Sequence, residues 1–285
     1  MKQIIATAVV MAASAVYASS PAHPELSKAD IIVSYDENSM SWEKDSLQTI
    51  RMSLLANTHE AKYFNDLSLW TDSLKSTPEG KDQWTQIIMA ACVTQSPEGG
   101  LSIDLSKGPV KKTYTYVFTN PETGNLRYYS KFGDEIGYYD EPLTEMEWEI
   151  CDSVKTVLGY ECVKAATDYH GRRWTAWFTT DIPVPFGPWK LHGLPGLILM
   201  AEADNGNSFV ATGIEKTDRI ISPMYSADEY DRKDRRKALA ETEYFLNNRE
   251  SIMIAKHGGS VKFAYDPAER PKYDAVRYAN EPDYQ

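Results

Sequence analysis

The stretch Leu197 to Ile214 reads L-I-L-M-A-E-A-D-N-G-N-S-F-V-A-T-G-I. Two runs that suit strands, Leu197 to Ala203 and Ser208 to Ile214, flank Asp204-Asn205-Gly206-Asn207, and Asn-Gly between such runs is the strongest short hairpin signal. An antiparallel pair is expected here. Upstream, Tyr160 to Tyr169 and Arg172 to Thr180 are joined by His170-Gly171, which predicts a second hairpin. Before these, Glu145, Glu147 and Glu149 alternate with Met146, Trp148 and Ile150, the period-2 pattern of a strand with one wet face. Together the five segments predict an antiparallel meander. The one long connection among them, Asp181 to Gly196, is too rich in proline and glycine to be a crossover helix. Its end, Leu194-Pro195-Gly196-Leu197, fits a type II turn, with proline at the second position and glycine at the third.

The remaining chain extends this pattern. Ile31 to Tyr35 and Leu47 to Ala56 suit two opening strands. Between Lys62 and Val93 the spacing of Leu67, Trp70 and Leu74 is helical, whereas Trp84 to Val93 fits either helix or buried strand. Lys112 to Thr119 alternates Tyr114, Tyr116 and Phe118 against threonine and valine. The turn residues Pro121 to Asn125 then lead into Leu126 to Phe132. After Pro223, Ser226 with Glu229 three residues later forms a capping box, predicting a long helix from Ala227 towards Asn248. A second helical stretch at Glu250 to His257 meets a stop at Gly258-Gly259. The proline-bearing tail, 265–285, reads as irregular and partly exposed. The fold class expected is mainly β (α+β): a curved antiparallel sheet or open half-barrel with a long C-terminal helix.

Composition bounds the function. Lys2, the apolar run Ile4 to Val16 and Val16-Tyr17-Ala18 form the three parts of a secretory signal, so residues 1–18 are expected to be removed. That run is too short to span a bilayer, no cysteine precedes Cys92 to carry a lipid anchor, and the mature chain is expected to lack a transmembrane segment. An exported, periplasmic location and a single β-rich domain over 19–285 follow as expectations. A formal net charge of −11 with no dense basic face argues against nucleic acid. Of the three cysteines, Cys151 and Cys162 are the candidate disulfide, with Cys92 to Cys162 the competing bridge and free thiols a third alternative.

Motifs of known chemistry are absent: no G-x-S-x-G elbow, H-E-x-x-H pair, phosphate loop or dinucleotide fingerprint occurs. Ser41-Trp42-Glu43-Lys44 matches S-x-x-K without the companion motifs of that class. The five histidines are scattered, so no metal site and no cofactor is expected. The glutamates at 145, 147 and 149 and the basic run Arg232 to Lys237 are most simply solvated faces. The strand beginning at Arg172 carries Trp174 and Trp177 on opposite faces. The loop after it offers Trp189, Lys190, His192, Leu194, Pro195 and Gly196. These eight residues are the candidate ligand- or partner-binding set, against the plainer reading of a buried turn capping the sheet.

The hexapeptide Gly193 to Ile198 resembles the signature of the GLPGLI family of exported Bacteroidetes proteins. G-Y-x-C-x-K-A at Gly159 to Ala165, G-R-x-W-x-A-W from Gly171, Asp181-Ile182-Pro183 and Gly187 to Lys190 are also similar to that family's pattern, as is Tyr265 to Glu269 near the end. The resemblance runs from about Trp148 to Ile214 and is weak in the N-terminal third. It implies an exported β-rich protein with no assigned activity, and it carries over no catalytic residue. An association with outer-membrane transport is implied by the family's gene context alone. The function expected is an exported binding or accessory protein of the cell envelope, its partner an outer-membrane protein or an apolar small molecule. The alternatives are a carrier of an apolar ligand held in a half-barrel and a hydrolase without a recognisable motif.

Overall fold

Ile31, Val33 and Tyr35 are buried while Ile32 and Ser34 between them are only half-buried, so the first strand presses one face into a core as period-2 geometry requires. The computed structural model describes residues 27–95, 100–144, 146–257 and 266–284. The expected signal segment, Gly258-Gly259, Tyr265 and Glu145 lie outside the described residues. In chain order the elements are β1 (Ile31–Ser41), β2 (Ser46–Ala56), β3 (Ala61–Phe64), α1 (Asp66–Lys75), α2 (Pro78–Cys92), β4 (Val93–Gln95), β5 (Leu101–Ile103), β6 (Tyr116–Asn120) and β7 (Asn125–Phe132). They continue with β8 (Glu135–Pro142), β9 (Glu149–Val157), β10 (Tyr160–Tyr169), β11 (Arg172–Thr179), β12 (Leu197–Ala203), β13 (Ser208–Lys216), β14 (Asp231–Arg232), α3 (Arg235–His257) and α4 (Ala275–Tyr278).

Twelve strands form one curved, open sheet in the order β14-β8-β7-β6-β3-β2-β1-β13-β12-β11-β10-β9. Every pairing is antiparallel except the short β14–β8 contact. The expected meander is present as β9 to β13. Its two sequence-marked turns use positive φ: His170 (52°) and Gly171 (77°) in one, Gly206 (85°) in the other. One face of the sheet carries the main core, including Tyr35, Tyr63, Leu126, Trp174 and Phe209. The other face, across β2, β3, β6 and β7, is covered by a second core in which Leu55, Phe64, Tyr116 and Tyr129 meet Ile221, Met224 and Tyr230. Helix α3 seats Ala238 against Phe132 and Tyr139. Among the described residues no helix is long and apolar enough to cross a membrane.

Several local expectations are corrected. The region between Lys62 and Val93 is a short strand followed by two helices, capped by Asn65 and Thr77 and broken where Ser76 ends the first. The aromatic strand begins only at Tyr116. Trp148 precedes β9, tied by its indole N–H to the His192 carbonyl at 2.9 Å, so the strand expected from 145 starts at Glu149. Ser226 takes φ 49° and makes no capping bond with its side chain; Ala227–Glu229 is one tight turn, and the long helix starts at Arg235, running unbroken to His257. The turn at 194–197 is not type II, because positive φ falls on Trp189 (55°) and Gly193 (89°) instead. Gly196 is needed for close approach: a Cβ there would stand 2.0 Å from the Thr179 carbonyl oxygen.

The expected disulfide does not form, and all three cysteines are free. Register is the reason, since Cys151 faces Lys164 and Cys162 faces Lys155 across β9–β10. The S-x-x-K match marks the β1–β2 turn, where the Ser41 hydroxyl accepts from the Lys44 backbone N–H at 3.3 Å.

Candidate functional site

Proline and glycine keep 181–196 out of helix, and the segment folds back on itself through Gly193 N–H to Pro185 O (2.9 Å) and Ile198 N–H to Phe186 O (3.1 Å). This sets Trp189 in a stack with Trp174 (5.4 Å between ring centroids) and Phe209 (6.4 Å). A left-handed tryptophan is strained by about 1–3 kcal/mol, and the packing around it offsets that cost. The next residue, Lys190, is carried into the interior with its side chain wholly buried.

Around the Lys190 ammonium three elements converge. From β8, Tyr139 OH lies 2.9 Å away and Glu141 accepts an ion-pair hydrogen bond. From the C-terminal tail, Glu281 Oε1 lies 2.8 Å away. The rings of Tyr128 and Tyr139 face the ammonium with centroids at 4.8 Å. His170, at the β10–β11 turn, places Nε2 2.8 Å from Glu141 and Nδ1 3.1 Å from Asp283. Arg235, the first residue of α3, places Nε 2.8 Å from Glu281 and pairs with Asp283. Lys190 and Arg235 thus face Glu141, Glu281 and Asp283, with the His170 ring set between Glu141 and Asp283. Burial disfavours the Glu141 carboxylate, but the hydrogen bond from His170 and the Lys190 charge outweigh it and hold its pKa down to about 2. Asp283 is likewise held low, burial being outweighed by Arg235 and His170.

The tail, irregular outside α4 and largely exposed or half-buried, is nevertheless anchored. Arg172, buried beside the His170 turn, donates from Nε to Ala279 O (2.9 Å) and from its η2 nitrogen to Val276 O (2.5 Å). Asn207, from the Asn-Gly turn, donates to Tyr278 O (3.1 Å) and Asn280 Oδ1 (2.7 Å). The two hairpin turns most legible in sequence are thus the clamps that hold α4 and deliver Glu281 and Asp283. Glu141, His170 and Glu281 offer ligand atoms all within 4.8 Å, a spacing that suits a metal ion. Lys190 and Arg235 already pair with both carboxylates, so a dication would have to displace a buried charge.

Of the eight candidate residues, Trp174, Trp189, Lys190, His192, Leu194 and Gly196 are interior and gathered around this loop. His192 Nδ1 lies 2.8 Å from Lys190 O, and burial lowers its pKa. Pro195 is exposed, and Trp177 lies on the opposite face of β11, under Lys155 Nζ at 4.3 Å. Sequence reasoning missed Glu141, His170, Arg235, Glu281 and Asp283 as partners. Charged residues in a turn, a basic run and a polar tail carry no local mark of burial. The one available signal was a lysine set between tryptophan and leucine in an apolar loop.

A family model for the N-glycanase peptide N-terminal domain matches residues 130–235, which hold Glu141, His170, Lys190 and Arg235 but not the tail. Among solved structures the chain is similar to PNGF-II in the C2 space group, at 15% identity and TM-score 0.49, over 77% of this chain and 34% of that one. It is also similar to PNGF-II in the P21 space group, at 15% identity and TM-score 0.48, over 75% of this chain and 33% of that one. The chain spans about a third of the length of those solved proteins. No curated protein matches it.

Proposed function

We propose that this chain is an exported, non-catalytic binding or accessory domain of the cell envelope, of the GLPGLI type. The observation that carries the reading is the closure of the charged cluster at Lys190. Its acids and bases are matched to one another and enclosed, with side-chain exposure from 0% at Lys190 to 31% at Asp283. An acid–base centre needs a group left over to act on substrate; here each charge is spent on holding tail, loop, β8 and α3 together. The match to a model of an N-terminal domain supports a module that accompanies another activity. The aromatic stack of Trp174, Trp189 and Phe209 fills the space that an apolar-ligand carrier would need open.

Native mass spectrometry of the protein extracted gently from its own envelope tests this reading. A stoichiometric complex with an envelope protein or a discrete bound molecule is the expected result. Release of glycan from an N-glycosylated peptide by the purified chain would overturn the non-catalytic reading.

A further inference from the structure

On the face of the sheet away from the Lys190 cluster, a cleft of about 280 Å³ opens between α1–α2 and the segment 225–230. Its walls are aromatic and charged together. Trp84 is half-buried and meets Trp70 edge-on at 5.9 Å, and Tyr114 and Tyr225 are half-buried across from it. Lys75 and Lys81 stand exposed on the same lining, and neither has a carboxylate partner among the described residues. Asp72 is held from below, accepting from Tyr116 OH at 2.5 Å and from Lys111. Ser226, at the rim, is held at φ 49° and makes no capping hydrogen bond with its hydroxyl. A non-glycine residue kept at positive φ beside a cleft is the kind of local strain that accompanies binding sites.

We infer that this cleft binds a saccharide bearing an acidic group, such as a uronic acid unit. The inference rests on the binding-domain reading and names the ligand class. Lys75 Nζ lies over the Trp84 ring at 6.0 Å and Lys111 Nζ over the Tyr114 ring at 4.9 Å, so these ammonium groups are placed to take the acidic group of a ligand. The ring surface that stays half-exposed attracts the polarised C–H face of a sugar. A fixed carboxylate, tyrosine hydroxyls and the Ser226 hydroxyl suit a ligand whose hydroxyls both donate and accept. Lys75, Lys81 and Lys111 outnumber Asp72 and Glu229 on the lining, so the cleft is locally cationic in a chain of net charge −11. That local excess selects an anionic sugar over a neutral one.

The test is calorimetric titration of the full chain with tri-galacturonate, with maltotriose as the neutral comparison. Saturable binding of tri-galacturonate, at least tenfold tighter than maltotriose, is expected. The exposed Lys81→Met change, which leaves the fold untouched, is expected to erase that preference. Trp84→Ala, with unchanged thermal unfolding as its control, should weaken both sugars tenfold or more. Absence of saturable binding, equal affinity for the two sugars, or full binding by folded Trp84→Ala overturns the inference. An envelope complex found by mass spectrometry alongside any of these results would leave the binding-domain reading standing while this ligand class falls.

Discussion

Replacing Lys190 by methionine keeps most of the side-chain volume and removes the charge at the centre of the enclosed cluster. The ammonium contacts Glu141, Glu281 and Tyr139 and is itself 0% exposed in its side chain. Breaking a buried pair by removing one partner costs about 3–5 kcal/mol, because the other charge stays desolvated. Glu281 retains Arg235 at 2.7 Å and Glu141 retains His170 at 2.8 Å, so the loss belongs near the lower end, at about 3 kcal/mol. For a chain of this size that is a fall in melting temperature of roughly 6–10 °C. Urea unfolding of Lys190→Met, Glu281→Gln and the double variant is the assay. The double variant should recover part of the loss, with a coupling of about 1–3 kcal/mol, because it removes the charge that the single variant strands. A Lys190→Met loss below about 1 kcal/mol, or strictly additive single losses, would refute the cluster as the clamp of the tail.

Other outcomes follow from the same structure. Because the Glu141 carboxylate is held at about 2, below its ordinary 4.5, its stabilising contribution is complete above pH 4.5 and drains away as pH falls towards 2; Glu141→Gln should flatten acid unfolding in that window. Lys62 is buried among Phe64, Tyr116 and Phe118, and burial, aided by the Arg219 charge, lowers its pKa from 10.5 to about 7. The unfolded chain therefore holds that proton more tightly, and stability should rise between pH 7 and 9 by up to about 1.4 kcal/mol per pH unit, a rise that Lys62→Met should remove. Gly196→Ala should destabilise severely, since its Cβ would collide with backbone at Thr179, whereas Gly206→Ala, with open space around it, should cost only about 1 kcal/mol of backbone strain; thermal unfolding that ranks them the other way would contradict this. Thiol titration in denaturant should find three free cysteines, and reduction should leave the intact mass unchanged.

The sequence by itself determined the class of fold and the order of the meander, because those signals are local. His170-Gly171 and Asn205-Gly206 specify turns through backbone conformation, and alternation around Ala176 and Ala201 specifies which side chains face inward. Capping was less reliable: Ser226 and Glu229 have the pattern of a helix start, yet the chain there is drawn into pairing with β8, and the helix begins only at Arg235. The loop at 185–200 was legible as a built segment, but the reason for Gly196 was not, since close approach to Thr179 is a contact between different elements. Strand register decided the fate of Cys151 and Cys162, and register is set by the whole β9–β10 pairing.

Tertiary structure alone decided the charged cluster. Lys190, Glu141, His170, Arg235, Glu281 and Asp283 come from a loop, a strand, a turn, a helix start and a tail, and the Lys190–Glu141 pair alone spans 49 positions. In a sequence each of these charges has the appearance of a solvated surface residue, because a lone charge is stable only in water. What makes burial possible is the simultaneous arrival of opposite charges, and that depends on where the chain has already been folded by its turns. The tail shows the same logic: its polar, proline-rich composition fits an exposed end and most of it is exposed or half-buried, yet Arg172 and Asn207 capture its carbonyls and Glu281 is brought inside.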